Sequence, residues 1–102
     1  MGLFGLFGKK EPSFEMRVMN VFLIKNHGVV VTGKINKGTI NLNDTVEIEG
    51  KKYTVFLIDA VINPGSKAPS QVNSASEGVE AALHLSTMDS SKIKSGNVVI
   101  KR

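Results

Sequence analysis

From Phe14 onward the chain alternates between short apolar runs and clusters of turn-forming residues. Phe14, Met16 and Val18 occupy every second position, with Glu15 and Arg17 between them, which is the period of a strand with one face in a core. Across Met19 and Asn20 the phase shifts, and Val21, Phe22, Leu23 and Ile24 follow. Such a shift predicts a bulge or a barrel corner. A turn over residues 25–28 leads into a β-branched run over 28–36. Residues 41–44 form a tighter turn into 45–49, where Val46 and Ile48 point one way and Glu47 and Glu49 the other. Gly50 then turns the chain into a strand over 53–62, and residues 63–71, with two prolines and a glycine among polar residues, predict a loop. Val79, Ala81, Leu83 and Leu85 alternate with Glu80, Ala82, His84 and Ser86, a half-buried strand. Residues 88–97 read as a short helical turn or loop, and Val98-Val99-Ile100-Lys101 as a last strand. No helix of any length is predicted after Phe14. Six or seven short strands predict an all-β domain, either a closed barrel or a small sandwich.

The stretch GVVVTGKI, residues 28–35, matches most of a phosphate-binding loop, because Gly28, Gly33 and Lys34 are correctly spaced. Ile35 stands where the magnesium-binding hydroxyl should be. The four residues between the glycines, Val29, Val30, Val31 and Thr32, are all β-branched and stiff at χ1, so they favour a strand over a loop that wraps a phosphate. No helix signal follows Lys34, and a phosphate loop needs a helix N-terminus facing the anion. The segment is a strand. Gly33 within it predicts a kink or a close backbone approach.

Composition narrows the picture further. The chain has 102 residues, 41% of them hydrophobic and 22% charged, which fits one small globular domain. There is no cysteine, so disulfides and thiolate metal sites are excluded. A net charge of +4 and a pI near 9.5 allow RNA or an anionic surface as partner without choosing between them. Residues 1–13 differ from the rest: a doubled Gly-Leu-Phe, then Lys9-Lys10 and Pro12, without the order of a secretory signal. They are expected to form a flexible or docking tail ahead of a domain over 14–102.

With the strands placed, residues 14–48 resemble the start of domain II of the translation GTPases, most nearly elongation factor Tu. The matching positions are Phe14, Met16, Val18, Val21, Phe22, Ile24, Gly28, Val30, Val31, Thr32, Gly33, Gly38, Ile40, Asp44 and Val46. Asn43 stands where the family usually has a turn glycine, and asparagine tolerates the left-handed conformation required there. The later half matches less densely, up to about residue 101. The resemblance implies a closed six-stranded antiparallel Greek-key barrel. Since GTP chemistry in that family belongs to a preceding domain, it also implies no catalysis, no nucleotide and no cofactor here. RNA or the ribosome is the expected partner, no DNA partner is expected, and the expected location is cytoplasmic.

In elongation factor Tu this domain holds the terminal adenosine of aminoacyl-tRNA. By resemblance that pocket falls on Ile24, Val30, Asp59 and Ala82, with Ile62 and Glu80 replacing an arginine and a glycine. Ala82 removes part of a wall and Glu80 adds negative charge, so the pocket is eroded. A second set, Lys25, His27, Lys34 and Lys37, offers positive charge near the first two turns, with Glu47 and Glu49 expected across the same hairpin as a partial counterweight. His27 and His84 are the only histidines and have no third ligand at metal spacing, so no metal site is expected. The tail residues Leu3, Phe4, Leu6 and Phe7 are candidates for docking on a protein, for self-association, or for peripheral membrane contact. The alternative to RNA binding is a barrel retained for protein or membrane-surface interaction.

Overall fold

The computed structural model describes residues 11–61 and 68–102. Ten strands follow in order: β1 (Phe14–Arg17), β2 (Asn20–Ile24), β3 (Gly28–Lys37), β4 (Thr39–Asn41), β5 (Thr45–Ile48), β6 (Lys51–Ala60), β7 (Ser70–Val72), β8 (Ser74–Ser76), β9 (Glu80–Leu85) and β10 (Val98–Lys101). Six of them close a ring, in the order β1, β10, β5, β6, β9, β3 and back to β1, with every neighbouring pair antiparallel. The chain is therefore a closed six-stranded antiparallel barrel, the first of the two folds that the strand pattern allowed. β2 lies beside β1 on the same edge of β3, β7 pairs with β6, and β4 with β8 makes a separate ribbon.

The phase shift at Met19–Asn20 is the barrel corner. β1 pairs with the far end of β3 at Ile35 and Lys37, and β2 pairs with its near end from Gly28 to Thr32. Between them Val18 N–H donates to Asn97 O at 2.8 Å and Met19 N–H to Thr32 O at 2.7 Å, so the backbone stays satisfied through the bend. Gly33 sits where the chain crosses itself: a Cβ there would overlap the carbonyl oxygen of Arg17. Asn43, at φ 72°, takes the left-handed conformation that the turn requires.

Alternate residues of each ring strand fill the barrel. Phe14, Met16, Val29, Val31, Ile35, Val46, Ile48, Val55, Ile58, Leu83, Leu85 and Val99 are all buried. Burying a side chain of this size stabilises by about 1.5–3 kcal/mol, which makes this interior the main source of stability. The three-residue strands β4, β7 and β8 were not predicted. They lie in Ser-, Asn- and Gln-rich sequence too short to show a period, although Ile40 and Ala75 do point inward from the centre of their strands. β7 begins inside the stretch expected to be a loop, and β6 starts already at Lys51, within the expected turn, and ends at Ala60, leaving Val61 outside it. Residues 88–97 form turns, and the described residues contain no helix.

Candidate functional site

With Val29 and Val31 pointing into the barrel, the alternation puts Val30, Thr32 and Lys34 on the outer face of β3, where Val30 is itself covered by its neighbours. Residues directly opposite in antiparallel strands share a face, so the register extends this surface across four strands. Phe22, Val30, His84 and Leu57 form one row; Asn20, Thr32, Ala82 and Asp59 form the next; Lys34 and Glu80 face each other in a third. Ile24 lies at the end of β2 opposite Gly28. Phe56 sits where the register between β6 and β9 slips, and the slip turns its ring onto the same face. Phe22, Ile24 and Phe56 are 51%, 45% and 37% exposed, a concentration of solvent-facing apolar area on one side of the molecule.

Across this face runs a chain of three titratable side chains. Asp59 Oδ2 lies 2.8 Å from His84 Nε2, and His84 Nδ1 lies 2.6 Å from His27 Nε2. An ionised carboxylate only accepts, so His84 Nε2 carries a hydrogen and donates to Asp59. A neutral His84 then has a bare Nδ1, which must accept from His27 Nε2–H. Phe56 packs on both rings, with centroids 5.2 Å from His27 and 6.1 Å from His84. His84 is buried, and the β2–β3 turn places His27 over it, with Asn26 at φ 62° forming the turn.

Beside the chain is an open depression of about 230 Å³, walled by Met19, Thr32, Asp59, Val61, Glu80 and Ala82. Asp59 and Ala82 thus line it as the resemblance implies. Val30 and Ile24 share the face but lie in the rows beyond it, and Ile62 lies outside the described residues, as do Leu3, Phe4, Leu6 and Phe7. Two carboxylates at the rim make the depression unattractive to phosphate.

The four basic candidates do not converge. Lys25 and His27 are at one end of β3, and Lys34 and Lys37 toward the other, about 20–30 Å away at 3.3 Å per residue. His27 is engaged by His84, Lys34 stands opposite Glu80, and Lys37 opposite Glu15. The expectation that Glu47 and Glu49 oppose these lysines is corrected. β5 lies between β10 and β6, where Glu47 faces Lys52 and lies 3.9 Å from Arg102, while Glu49 accepts from Asn97 Nδ2 at 3.2 Å. The Greek-key path carries the next hairpin around the barrel instead of beside β3.

Sequence reasoning missed His84 and Phe56. The one available signal was the clean alternation of β9, which marks His84 as outward-facing on a strand whose other outward residues are Glu80 and Ala82. Among the described residues, no group of three or more His, Asp or Glu side chains is arranged to hold a metal ion. No helix of the described residues is long and apolar enough to cross a membrane.

This barrel, with its two flanking strands on β3 and β6, is of the elongation-factor domain II type. A bacterial selenocysteine-specific elongation factor, EF-Sec, has a TM-score of 0.71 at 24% identity, covering 97% of this chain and 17% of its own length. Translation elongation factor SelB from Methanococcus maripaludis, in its apo form, has a TM-score of 0.75 at 25% identity, covering 92% of this chain and 20% of its own. The chain therefore spans about a fifth of the length of these factors. No family model matches the sequence.

Proposed function

We propose that residues 14–102 are a non-catalytic binding module of the translation apparatus, which engages RNA or a ribonucleoprotein through the outer face of β2, β3, β9 and β6. The supporting observation is that this face combines exposed aromatic side chains with a depression at Asp59 and Ala82, two of the positions that the resemblance assigns to a terminal nucleoside. The two solved structures named above are both translation factors, which fits a cytoplasmic role. The acidic rim directs phosphates away from Glu80 and toward the Lys25 turn. The test is an amide NMR titration of the labelled chain with bulk tRNA and ribosomal RNA at two salt concentrations. Shifts confined to residues 20–30, 56–59 and 82–84, fading as salt rises, are expected, since phosphate contacts release counterions. Peaks that stay still with both RNAs overturn the reading.

A second reading is protein interaction, which the exposure of three consecutive apolar residues, Phe22, Leu23 and Ile24, on one strand favours. Charge reversal at Lys25, in the turn where the phosphates are directed, separates the two. RNA binding weakens and its salt slope falls, whereas a protein contact through β2 is unchanged.

A further inference from the structure

The Asp59–His84–His27 chain fixes more than three side chains. With both imidazoles neutral, the directions argued above leave one bare nitrogen in the system, Nδ1 of His27. That atom has no hydrogen-bond partner among the described residues. It is also not fully buried, because among the described residues every fully buried side-chain nitrogen and oxygen has a partner. His27 is thus held as an acceptor, its ring orientation set by His84 and its tautomer set from two residues away by Asp59. Beside it stands Phe56, its ring 5.2 Å away and more than a third exposed. An outward acceptor next to an exposed aromatic ring is the combination that a nucleobase uses: a π-face to stack on and a partner for one of its N–H groups. Lys25, two residues before His27 in the same turn, supplies a cation for the adjoining phosphate.

We propose that His27 and Phe56 form a nucleobase-contacting site, in which a base of single-stranded RNA stacks on Phe56 and donates an N–H to Nδ1 of His27. Asp59 and His84 are positioning residues of this site. The inference rests on the RNA reading above, and it moves the base away from the depression at Asp59 and Ala82, because the Asp59 carboxylate is committed to His84 at 2.8 Å.

The test uses the full chain at pH 7 and low salt with a single-stranded RNA tetranucleotide, and with an abasic oligonucleotide of the same length. Imidazole ¹⁵N spectra report the tautomers directly. In the free protein His27 is expected to show a protonated Nε2 and a bare Nδ1. The base-bearing oligonucleotide shifts Nδ1 of His27, and the abasic one does not. Phe56→Ala and His27→Ala each weaken binding about tenfold, within the range for loss of a stacked base. His27→Phe, which keeps a ring but removes the acceptor, does the same if the alanine variant loosens the turn. Asp59→Leu removes the acceptor that fixes the tautomer of His84, so the His27 Nδ1 signal no longer reports a single bare nitrogen and affinity drops with the fold intact. Equal binding by these variants, equal binding of the abasic oligonucleotide, or a protonated Nδ1 in the free protein overturns the site and leaves the RNA reading standing. Absence of any shift with the tetranucleotide, tRNA or ribosomal RNA overturns both.

Discussion

His27 and His84 are 57 residues apart in the chain and share a hydrogen bond of 2.6 Å, which pins the β2–β3 turn to the C-terminal end of β9. Replacing His84 with leucine removes this bond and the bond to Asp59 together, and leaves two polar groups without their partners. At about 0.5–1.5 kcal/mol net for each ordinary hydrogen bond, the loss is expected to be about 1–3 kcal/mol. Urea unfolding followed by circular dichroism measures it. An unchanged midpoint would mean that the three side chains contribute nothing to folding.

Gly33→Ala is expected to be more damaging than its size suggests. The added methyl meets the backbone carbonyl of Arg17, which cannot swing aside as the end of a flexible side chain could. Either β1 or β3 must move, and both belong to the closed ring. Overpacking of this kind costs about 1–3 kcal/mol, sometimes more. A melting temperature equal to that of the parent would show that the corner has slack.

Gly33 also shows what the sequence made legible. A lone glycine inside a run of β-branched residues, following a phase shift near Met19, marks the corner, and the alternation of β5 and β9 separates inside from outside. What local pattern could not carry was partnership across the barrel. His27, Asp59 and His84 come from a turn and two strands that only the Greek-key path brings together, so His27 read as one of four basic candidates, Asp59 as a pocket position and His84 as an outward residue of a strand, with nothing local to join them. The same path explains why Lys25, Lys34 and Lys37, close in sequence, spread along β3, and why Glu47 lies elsewhere.

Asp44 gives a pH dependence with a definite sign. Burial alone would raise its pKa, but the hydrogen bond from Lys101 Nζ at 2.8 Å and that from the Asn41 N–H at 2.7 Å outweigh it, so the carboxyl titrates below its usual 3.8. The folded pKa is therefore depressed. The stability that it contributes is fully present above the unfolded value and is lost as pH falls through the folded one. Lys101 also donates to Thr39 O at 2.9 Å, so it ties β10 both to the start of β4 and to the turn that leads into β5. The parent is expected to exceed Asp44→Asn in stability at neutral pH, and the gap is expected to close below about pH 4. Urea midpoints of both proteins at neutral and acidic pH decide it. A gap that persists at the most acidic pH would remove Asp44 as its source.

β2 carries the last prediction. One of its edges pairs with β3, and the other pairs with no strand among the described residues. Proteins usually protect such an edge with a charge, a proline or a bulge, because its open N–H and C=O groups can template another chain. Asn20–Ile24 has neither charge nor proline, and Phe22, Leu23 and Ile24 are all about half exposed. Nothing in the strand opposes pairing with a second copy, so sedimentation is expected to show concentration-dependent self-association. Leu23→Lys places a charge on the edge strand while its side chain remains in solvent. It should abolish the association and change stability by no more than about 0.5 kcal/mol, as for an ordinary surface substitution. A parent protein that stays monomeric at every concentration would mean that the edge is already protected. An associating parent whose Leu23→Lys variant associates equally would place the contact on another surface.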